Sequence, residues 1–290
     1  MRRNYYKVGG HSFSVEADEQ VLSEMKEYEP FRIAEPPESL FTVTIHVADH
    51  LDISYAETVR RAPTESLTAI NGEDSEGHDI YEYLWCDRHI FWFVCDKQYR
   101  HGELTITGLH VRMTLDIALT HIFRYATLKL QTTVIHASAV SYHDKAYLFL
   151  GISGTGKSTH SRLWLEHIEG TELINDDKPI LRIMDDGEVR LYGSPWSGKT
   201  PCYRNVDYPV GGMVKLNQGP QNRIRRLGKV EAYHVILQSV YGRRWDATVS
   251  TPLHELEVKL IERVPIWHLE CLPDHEAAKL SWTTVTGEQN

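Results

Sequence analysis

The first part of the chain alternates hydrophobic and polar residues in the manner of β-strands. Residues 41–47 carry an apolar side chain at every second position, and residues 13–15 do the same over a shorter stretch. Residues 80–86 and 89–95 are rich in Tyr, Trp and Phe and predict two paired strands joined by a tight turn at 87–88. A period of two is typical of strands that bury one face, so this part is predicted to be mostly antiparallel β-structure.

Residues 1–113 are therefore predicted to form a β-rich N-terminal domain. The last strand of this domain is predicted over residues 103–113, and the polar, glycine-containing residues 71–77 predict a loop. The many aromatic residues of the domain fit a hydrophobic core better than a ligand-binding surface.

The hydrophobic period becomes helical after residue 113. Apolar positions then recur every three or four residues and form one stripe, which consists of Leu115, Ala118, Leu119, Ile122, Phe123, Ala126 and Leu130. Such a stripe is typical of a helix that packs on a core. It predicts a helix over residues 114–130 that bridges the N-terminal domain and a second domain, residues 131–290.

The second domain is predicted to be α/β. Two apolar runs, residues 134–140 and 146–150, are separated by a polar turn and predict a hairpin, and Asp186-Gly187 predicts the turn of another. A hairpin, rather than a helix, leads into residues 146–150, which favours a sheet that mixes parallel and antiparallel strands. Further strands are predicted over 172–174, 212–216 and 266–269, and helices over 158–168, 230–240 and 253–261 and after Pro273-Asp274.

Directly after the apolar run 146–150 the chain reads Gly-Ile-Ser-Gly-Thr-Gly-Lys-Ser-Thr. This sequence has the glycine, lysine and serine spacing of a phosphate-binding loop between a strand and a helix. The glycines let successive backbone N–H groups face one point at the helix N-terminus, where an anion is stabilised. The predicted phosphate-binding residues are Gly151, Ser153, Gly154, Thr155, Gly156, Lys157, Ser158 and Thr159.

The side chains of this loop predict the ligand. Lys157 can reach the terminal phosphates of a nucleotide, and the Ser158 hydroxyl can ligate a magnesium ion. The loop therefore predicts binding of ATP, or of another nucleoside triphosphate, together with Mg²⁺.

Two adjacent aspartates, Asp176 and Asp177, follow the predicted strand 172–174. After a phosphate loop, one carboxylate of such a pair can hold the metal while the other accepts a proton from an attacking hydroxyl. We assign the proton to Asp176, and the metal to Asp177 together with Ser158. The residues alone leave open which aspartate has which role.

His136 lies on the predicted strand before the one that leads into the phosphate loop. A lone histidine in a strand is usually a structural residue, but beside an aspartate pair it can tune a base or contact a phosphate. In a paired sheet it could approach the same end as the phosphates. Asp176, His136 and Lys157 are therefore the predicted catalytic residues.

Charge and cysteine content narrow the class of partner. Forty acidic residues against 31 basic ones give a formal charge of −9, which argues against a nucleic acid as ligand. The four cysteines lack the CxxC spacing of zinc sites, and no apolar run approaches the roughly 20 residues of a membrane span. No signal peptide is recognisable at the N-terminus. These features predict a cytoplasmic protein with neither a nucleic acid nor a membrane as partner.

His136, the phosphate loop preceded by a hairpin, and Asp176-Asp177 together resemble the catalytic domain of HPr kinase/phosphorylase. That family shares its nucleotide-binding core with phosphoenolpyruvate carboxykinase. The resemblance covers residues 132–282 and implies an HPr kinase/phosphoenolpyruvate carboxykinase-like P-loop core of mixed sheet with helices, preceded here by the smaller β-rich domain. It implies that His136 and Asp176 take part in proton transfer, and it suggests a homo-oligomer.

The activity implied by the resemblance is that of an ATP-dependent phosphotransferase. The N-terminal domain has no counterpart in HPr kinase, so the expected acceptor is not HPr itself. The chain is similar to the small kinases of this superfamily that accompany peptide-modification genes, which implies a serine hydroxyl of a peptide, a protein or a small molecule. Two alternatives stay open, namely a non-catalytic nucleotide-binding regulatory module and a carboxykinase-like lyase.

Further cations near a transferring phosphoryl group would stabilise its charge. Residues 223–229 form a basic cluster on an otherwise acidic chain, and Lys199 lies in a loop flexible enough to close over a ligand. The candidates for substrate or phosphate contacts are Lys199, Arg204, Arg223, Arg225 and Arg226.

Overall fold

Residues 1–288 are described by a computed structural model and form a mixed α/β protein. The chain divides into two structural units between Thr127 and Leu128. Each unit is built around one nine-stranded sheet that contains both parallel and antiparallel pairs. None of the helices in residues 1–288 combines the length and the apolar composition that a membrane crossing needs.

The first unit consists of one sheet with three helical segments. Its strands are β1 (Arg2–Val8), β2 (His11–Ala17), β3 (Arg32–Ile33), β4 (Thr42–Val47), β5 (Ala56–Arg61), β6 (Leu67–Glu73), β7 (Asp79–Trp85), β8 (Arg88–Cys95) and β9 (His101–Ile106). Its helical segments are α1 (Glu19–Ser23), a 3-10 helix (Lys26–Phe31) and α2 (Val111–Leu128). The strand order is β3-β1-β2-β4-β9-β8-β7-β6-β5, in which β4 runs parallel to β2 and β9.

Aromatic side chains fill the core of this unit, as the sequence predicts. Phe13 of β2 stacks on Phe41 with ring centroids 4.7 Å apart, and Phe123 of α2 packs edge-on against both rings. All three side chains are buried. The stripe of α2 from Leu115 to Phe123 therefore has the packing role that its period predicts, whereas Leu130 lies beyond the helix and is exposed.

Several boundaries in the first unit differ from the sequence pattern, including the β7–β8 turn, which lies at residues 86–87 instead of 87–88. The strand predicted over 103–113 ends at Ile106, because Gly108 and His110 have positive φ values of 81° and 50° that interrupt the extended chain. The helix consequently occupies Val111–Leu128 rather than residues 114–130. The loop predicted over 71–77 starts later than expected, because β6 continues to Glu73.

The second unit has a sheet covered on one face by helices. Its strands are β10 (Thr132–Val134), β11 (Ala137–Tyr142), β12 (Lys145–Leu150), β13 (Glu172–Asp177), β14 (Ile180–Ile183), β15 (Val189–Tyr192), β16 (Asp207–Gln218), β17 (Arg223–Arg226) and β18 (Ile266–Cys271). Its helices are α3 (Lys157–His167), α4 (Lys229–Ser239), α5 (Ala247–Arg263) and α6 (His275–Thr286). The strand order is β10-β14-β15-β16-β12-β11-β13, with β18 paired to β16 and β17 paired to β18.

Both predicted hairpins are confirmed, but one predicted strand is not continuous. The hairpin β11–β12 turns at residues 143–144, and β14–β15 turns around Asp186-Gly187. The strand predicted over 134–140 is divided into β10 and β11 by Ile135 and His136. These two residues pair with the end of α4 instead, where the His136 N–H donates to the Ser239 carbonyl at 2.8 Å.

Strand direction brings several chain ends to one edge of this sheet. Strands β12, β16 and β18 run parallel, and β11 runs antiparallel to both β12 and β13. The C-terminal ends of β12, β13, β16 and β18 and the start of β11 therefore share an edge. The glycine-rich loop, His136 and the two aspartates all lie there.

The helices α3 and α6 pack on one face of the sheet. Helix α3 contacts β11, β12 and β13, whereas α6 contacts β16, β17 and β18. Between the helices and the sheet lies a core that includes Tyr147, Phe149, Trp164, Val214 and Leu269. This core fixes the direction in which α3 leaves the glycine-rich loop.

Candidate active site

The glycine-rich loop, residues 151–156, joins β12 to α3 and is closed by its own hydrogen bonds. The Thr155 N–H and hydroxyl donate to the Ile152 carbonyl at 3.3 and 2.9 Å. Gly154 and Gly156 have φ values of 86° and 96°, a region that glycine adopts without steric cost. Helix α3 begins at Lys157, so the backbone N–H groups of its first turn are directed to the space enclosed by the loop.

Lys157 is buried at the centre of this edge, with 8% of its surface exposed. Its ammonium donates to the Gly151 and Ile152 carbonyls at 2.9 and 3.3 Å and to His136 Nε2 at 2.8 Å. Burial lowers the pKa of Lys157, and the neighbouring carboxylates of Asp177 and Asp176 offset only part of this effect. The lysine is therefore a desolvated cation, which favours an anionic ligand.

His136 links this lysine to the aspartate pair. Its Nδ1 lies 3.0 Å from Asp177 Oδ1, and its Nε2 lies 2.8 Å from the Lys157 ammonium. Because a carboxylate can only accept, Nδ1 carries the proton and the Nε2 lone pair accepts from Lys157. Burial acts to raise the pKa of Asp177, but the hydrogen bond from His136 and the charge of Lys178 outweigh it, so this pKa is lowered.

The two aspartates point to opposite faces of β13, since side chains alternate along a strand. Asp177 is directed to His136. Asp176 pairs with Ser138, whose hydroxyl contacts the Ser161 hydroxyl of α3 at 2.6 Å, so Asp176 lies on the face that α3 covers. Asp176 is a buried residue, 5% exposed, and its carboxylate forms no hydrogen bond with another residue in the described part of the chain.

The loop formed by residues 193–199 is held against the aspartates by Asn175. The Asn175 amide is fully buried; its Nδ2 donates to the Ser194 hydroxyl at 3.2 Å and lies 3.4 Å from the Trp196 carbonyl, while its Oδ1 accepts from the Lys178 N–H at 3.0 Å. Gly198 donates its N–H to the Asp176 carbonyl at 2.6 Å. Asn175 therefore positions both the end of β13 and the loop beside it.

A cleft of about 370 Å³ opens beside the glycine-rich loop, between α3 and the ends of β16 and β18. Thr155 and Thr159 contribute polar side chains, and Leu163, Leu216 and Cys271 contribute apolar surface. A cleft of this size and mixed lining suits a small organic ligand. It directly adjoins the glycine-rich loop through Thr155 and Gly156.

The structure separates the predicted cationic residues. Arg204 donates to the Leu173 carbonyl and to Glu172, both 2.7 Å away, at the end of β13 opposite the aspartates, so it does not join the groups around Lys157. Arg226 lies 6.0 Å from the Trp267 ring centre. Lys199 is exposed in the loop beside Gly198, and Arg223 is exposed at the start of β17, near the edge that holds the glycine-rich loop.

Three residues at this edge have no role in the sequence-based prediction. Asn175 directly precedes the two aspartates, so its place in the sequence is the signal that could have identified it. Lys215 is a single lysine inside the apolar strand β16, and an isolated charge in a buried strand is a usable signal. Gln218 donates to the Gly154 carbonyl at 3.2 Å, a contact that only the sheet topology reveals.

No protein-family model matches the chain, and no curated protein matches it either. The chemistry of the edge is therefore inferred from the positions of its own side chains.

Proposed function

We propose that this chain is an ATP-dependent phosphotransferase that transfers a phosphoryl group to a hydroxyl, with an HPr kinase-like nucleotide-binding core. The observation that carries the proposal is the hydrogen-bonded series from Asp177 through His136 to Lys157. It joins a phosphate-binding lysine to a histidine that can accept a proton. Phosphoryl transfer to a hydroxyl requires these two functions side by side.

Nucleotide binding is supported by the loop and the cleft together. The glycine-rich loop offers backbone N–H groups and the Lys157 ammonium to phosphates. The adjoining cleft offers the space and apolar surface that a nucleoside needs. The hairpin β11–β12, which leads into the loop in place of a helix, supports the HPr kinase-like arrangement over other phosphate-loop folds.

The donor set at this edge fits Mg²⁺. This ion takes oxygen ligands and is commonly held by one or two carboxylates or hydroxyls together with substrate phosphates and water. The Asp176 carboxylate and the exposed Ser158 hydroxyl in the first turn of α3 are such oxygens on one side of the sheet. When bound, Mg²⁺ neutralises charge on the transferring phosphoryl group.

His136 is assigned the acceptor proton. The hydroxyl oxygen forms a bond to the γ-phosphorus, the bond from that phosphorus to the β,γ-bridging oxygen breaks, and the hydroxyl proton passes to His136 Nε2. Asp177 holds the imidazole by Nδ1 and stabilises the imidazolium that results. Nε2 has one lone pair, so the hydrogen bond from Lys157 must be released before His136 can act as a base. Lys157 releases it when it turns to a bound phosphate.

This assignment differs from the sequence-based prediction in two roles: the acceptor proton passes to His136 instead of Asp176, and the metal is held by Asp176 instead of Asp177. In the proposed arrangement Asp176 is the metal ligand because its carboxylate accepts no hydrogen bond from another described residue, and Asp177 orients the base because it is hydrogen-bonded to His136.

Matched aspartate variants distinguish the two assignments. Transfer of labelled phosphate from Mg-ATP is measured with glycerate, L-serine and a serine-containing peptide as acceptors. We expect Asp176→Asn to raise the Mg²⁺ concentration for half-maximal rate by about tenfold or more, equivalent to about 1.4 kcal/mol of metal binding. We expect Asp177→Asn to lower kcat by about 10²-fold or more, with the Mg²⁺ requirement unchanged.

Asp186→Asn, in the exposed turn of the β14–β15 hairpin, is the control and is expected to behave like wild type. The exchanged pair of phenotypes would return the base to Asp176, and wild-type kinetics in both site variants would refute the proposed site. Nucleotide binding without transfer to any acceptor would favour a regulatory module. Turnover that requires oxaloacetate would favour a lyase.

A further inference from the structure

A polar surface lies beside the glycine-rich loop on the sheet face opposite α3 and α6. The register of β16, β18 and β17 places three residues in each of two neighbouring rows, with Ile224, Leu216 and Leu269 directed into the core on the other face. The first row contains Lys215, His268 and Arg225, and the second contains Asn217, Glu270 and Arg223. We call Lys215, Arg223 and Arg225 the basic shelf.

The basic shelf adjoins the phosphate-binding groups. Lys215 pairs with Leu150, the residue before the glycine-rich loop. Its charge also contributes to lowering the pKa of Lys157. Gln218, at the end of the same strand, contacts Gly154 of the loop. A ligand on the shelf therefore lies close to a phosphoryl group held by Lys157.

Two cations of the shelf form no ion pair within residues 1–288. Arg225 is paired with Glu231 at 2.6 Å, but neither the Lys215 ammonium nor the Arg223 guanidinium forms an ion pair or side-chain hydrogen bond with any residue among 1–288. Glu270 faces the same surface between the strands that carry these two cations. Lys215 is half-buried, and burial lowers its pKa.

Desolvation also affects His268, which lies between Lys215 and Arg225 on the same surface. Burial lowers the pKa of His268, and the charges of Arg225 and Lys215 lower it further against the opposing effect of Glu270. His268 is therefore favoured in its neutral form and can donate one hydrogen bond without adding charge. A half-buried cation without a partner is stabilised most by an anion that arrives with a ligand.

We propose that the basic shelf binds an anionic group, a carboxylate or a phosphate, on the hydroxyl-bearing acceptor, with Lys215 and Arg223 as its ligands. The inference rests on the proposed phosphotransferase and specifies the class of its substrate as acidic. A nucleic acid is disfavoured as occupant because the chain carries a formal charge of −9. The anionic group can belong to a peptide or to a small molecule, and the experiment separates these sources.

Binding is tested first, because it does not depend on turnover. Fluorescein-labelled, amidated Glu-Glu-Ser-Glu-Glu and Gln-Gln-Ser-Gln-Gln are titrated with the full chain in the presence of Mg²⁺ and a non-hydrolysable ATP analogue, and anisotropy is recorded. Unlabelled glycerate and its uncharged counterpart glycerol are added as competitors. We expect the acidic peptide to bind at least about tenfold more tightly than the neutral one. Competition by glycerate but not glycerol would show that a small acid is sufficient.

The shelf variants have a matched control, Arg226, which lies on the same strand as Arg223. Arg223→Gln and Lys215→Gln are each expected to weaken binding of the acidic peptide by about tenfold and to leave the neutral peptide unchanged. Arg226→Gln, on the opposite face of β17 beside Trp267, is expected to bind like wild type. Arg223 is exposed, so its variant tests the proposal even if Lys215→Gln fails to fold. We expect the Arg223→Glu variant to bind the basic peptide Lys-Lys-Ser-Lys-Lys more tightly than the acidic peptide.

Three outcomes would overturn the inference: equal binding of the acidic and neutral peptides, an equal loss in Arg226→Gln, or tighter binding of a single-stranded oligonucleotide that depends on Arg223. The same peptides are then assayed for phosphorylation by Mg-ATP. Shelf-dependent binding without phosphorylation would uphold the shelf and refute the phosphotransferase. Phosphorylation of both peptides at equal kcat/KM would uphold the phosphotransferase and refute the shelf.

Discussion

Replacing Gly198 by alanine tests whether the loop of residues 193–199 must lie directly against the aspartates. A Cβ atom at position 198 would lie 2.7 Å from the Asp176 carbonyl oxygen and 3.2 Å from the Asp177 Cβ. Ordinary contacts of a Cβ atom begin at 3.4 Å. The first contact is with backbone in a strand, so rotation of a side chain cannot relieve it.

The size of the effect follows from this overlap. The contact with Asp176 falls 0.7 Å short of 3.4 Å, so the loop and the end of β13 must separate by up to that amount. The Gly198 N–H to Asp176 carbonyl hydrogen bond, now 2.6 Å, would lengthen with them. A displacement of about 1 Å at reacting groups can cost about 10²-fold, so we expect kcat to fall by about 10- to 100-fold. Overpacking of this kind destabilises by about 1–3 kcal/mol.

Both quantities are measurable on one protein preparation. Initial rates of phosphate transfer from Mg-ATP to the acidic serine peptide give kcat, and urea unfolding gives the free energy of unfolding. Gly228→Ala is the control for kcat, since Gly228 has a φ of −74° and the atom nearest to an added Cβ is 3.9 Å away on Glu231. Because Gly228 is the N-cap of α4, this variant is expected to lose up to about 1 kcal/mol of stability without losing activity. Wild-type kcat and wild-type stability in Gly198→Ala would refute the close approach of the loop to the aspartates.

Two further predictions concern the attachment of α3. Burial lowers the pKa of His160 to about 4 from an ordinary 6.5. Because the folded state disfavours the protonated form, the contribution of His160 to the free energy of unfolding is fully present above pH 6.5 and is lost as the pH falls towards 4. His160→Gln should reduce the slope of the unfolding free energy against pH by the equivalent of up to one proton over this window. The free energy is measured by urea unfolding at a series of pH values, and a slope equal to that of wild type would contradict the assignment. Ser138→Ala should cost about 1–2 kcal/mol because it leaves the buried Ser161 hydroxyl without its 2.6 Å partner. In a double-mutant cycle, Ser138→Ala with Ser161→Ala should cost less than the sum of the single variants; additivity would argue against the pair.

Local signals account for the elements that the sequence predicts correctly. The glycine-rich loop has a fixed spacing between an apolar run and a helical segment, and the hairpin at Asp186-Gly187 carries its own turn residues. Such features depend on neighbours a few residues apart. The division of residues 132–142 into two strands depends instead on a hydrogen bond from His136 to Ser239, about a hundred residues away in the chain, so local sequence does not reveal it.

The arrangement of charged residues around the loop was the least predictable part. Arg204, Arg223 and Arg226 are equally basic in the sequence, yet Arg204 pairs with Glu172, Arg223 is exposed near the edge that holds the glycine-rich loop, and Arg226 packs by Trp267. Their separation is set by the register of strands that are distant in sequence. The same register brings Lys215 beside the loop, so its proximity to Lys157 became visible only in the folded chain.

In the proposed phosphotransferase, the hydrogen bond from Gln218 to the Gly154 carbonyl would couple nucleotide binding to acceptor binding. A ligand on the basic shelf that shifted the end of β16 would, through this contact, also shift the glycine-rich loop. Thermodynamic linkage then requires reciprocity: if nucleotide raises the affinity for the acidic acceptor by some factor, the acceptor raises the affinity for nucleotide by the same factor. Order of addition would affect the route by which the ternary complex forms, but not its stability.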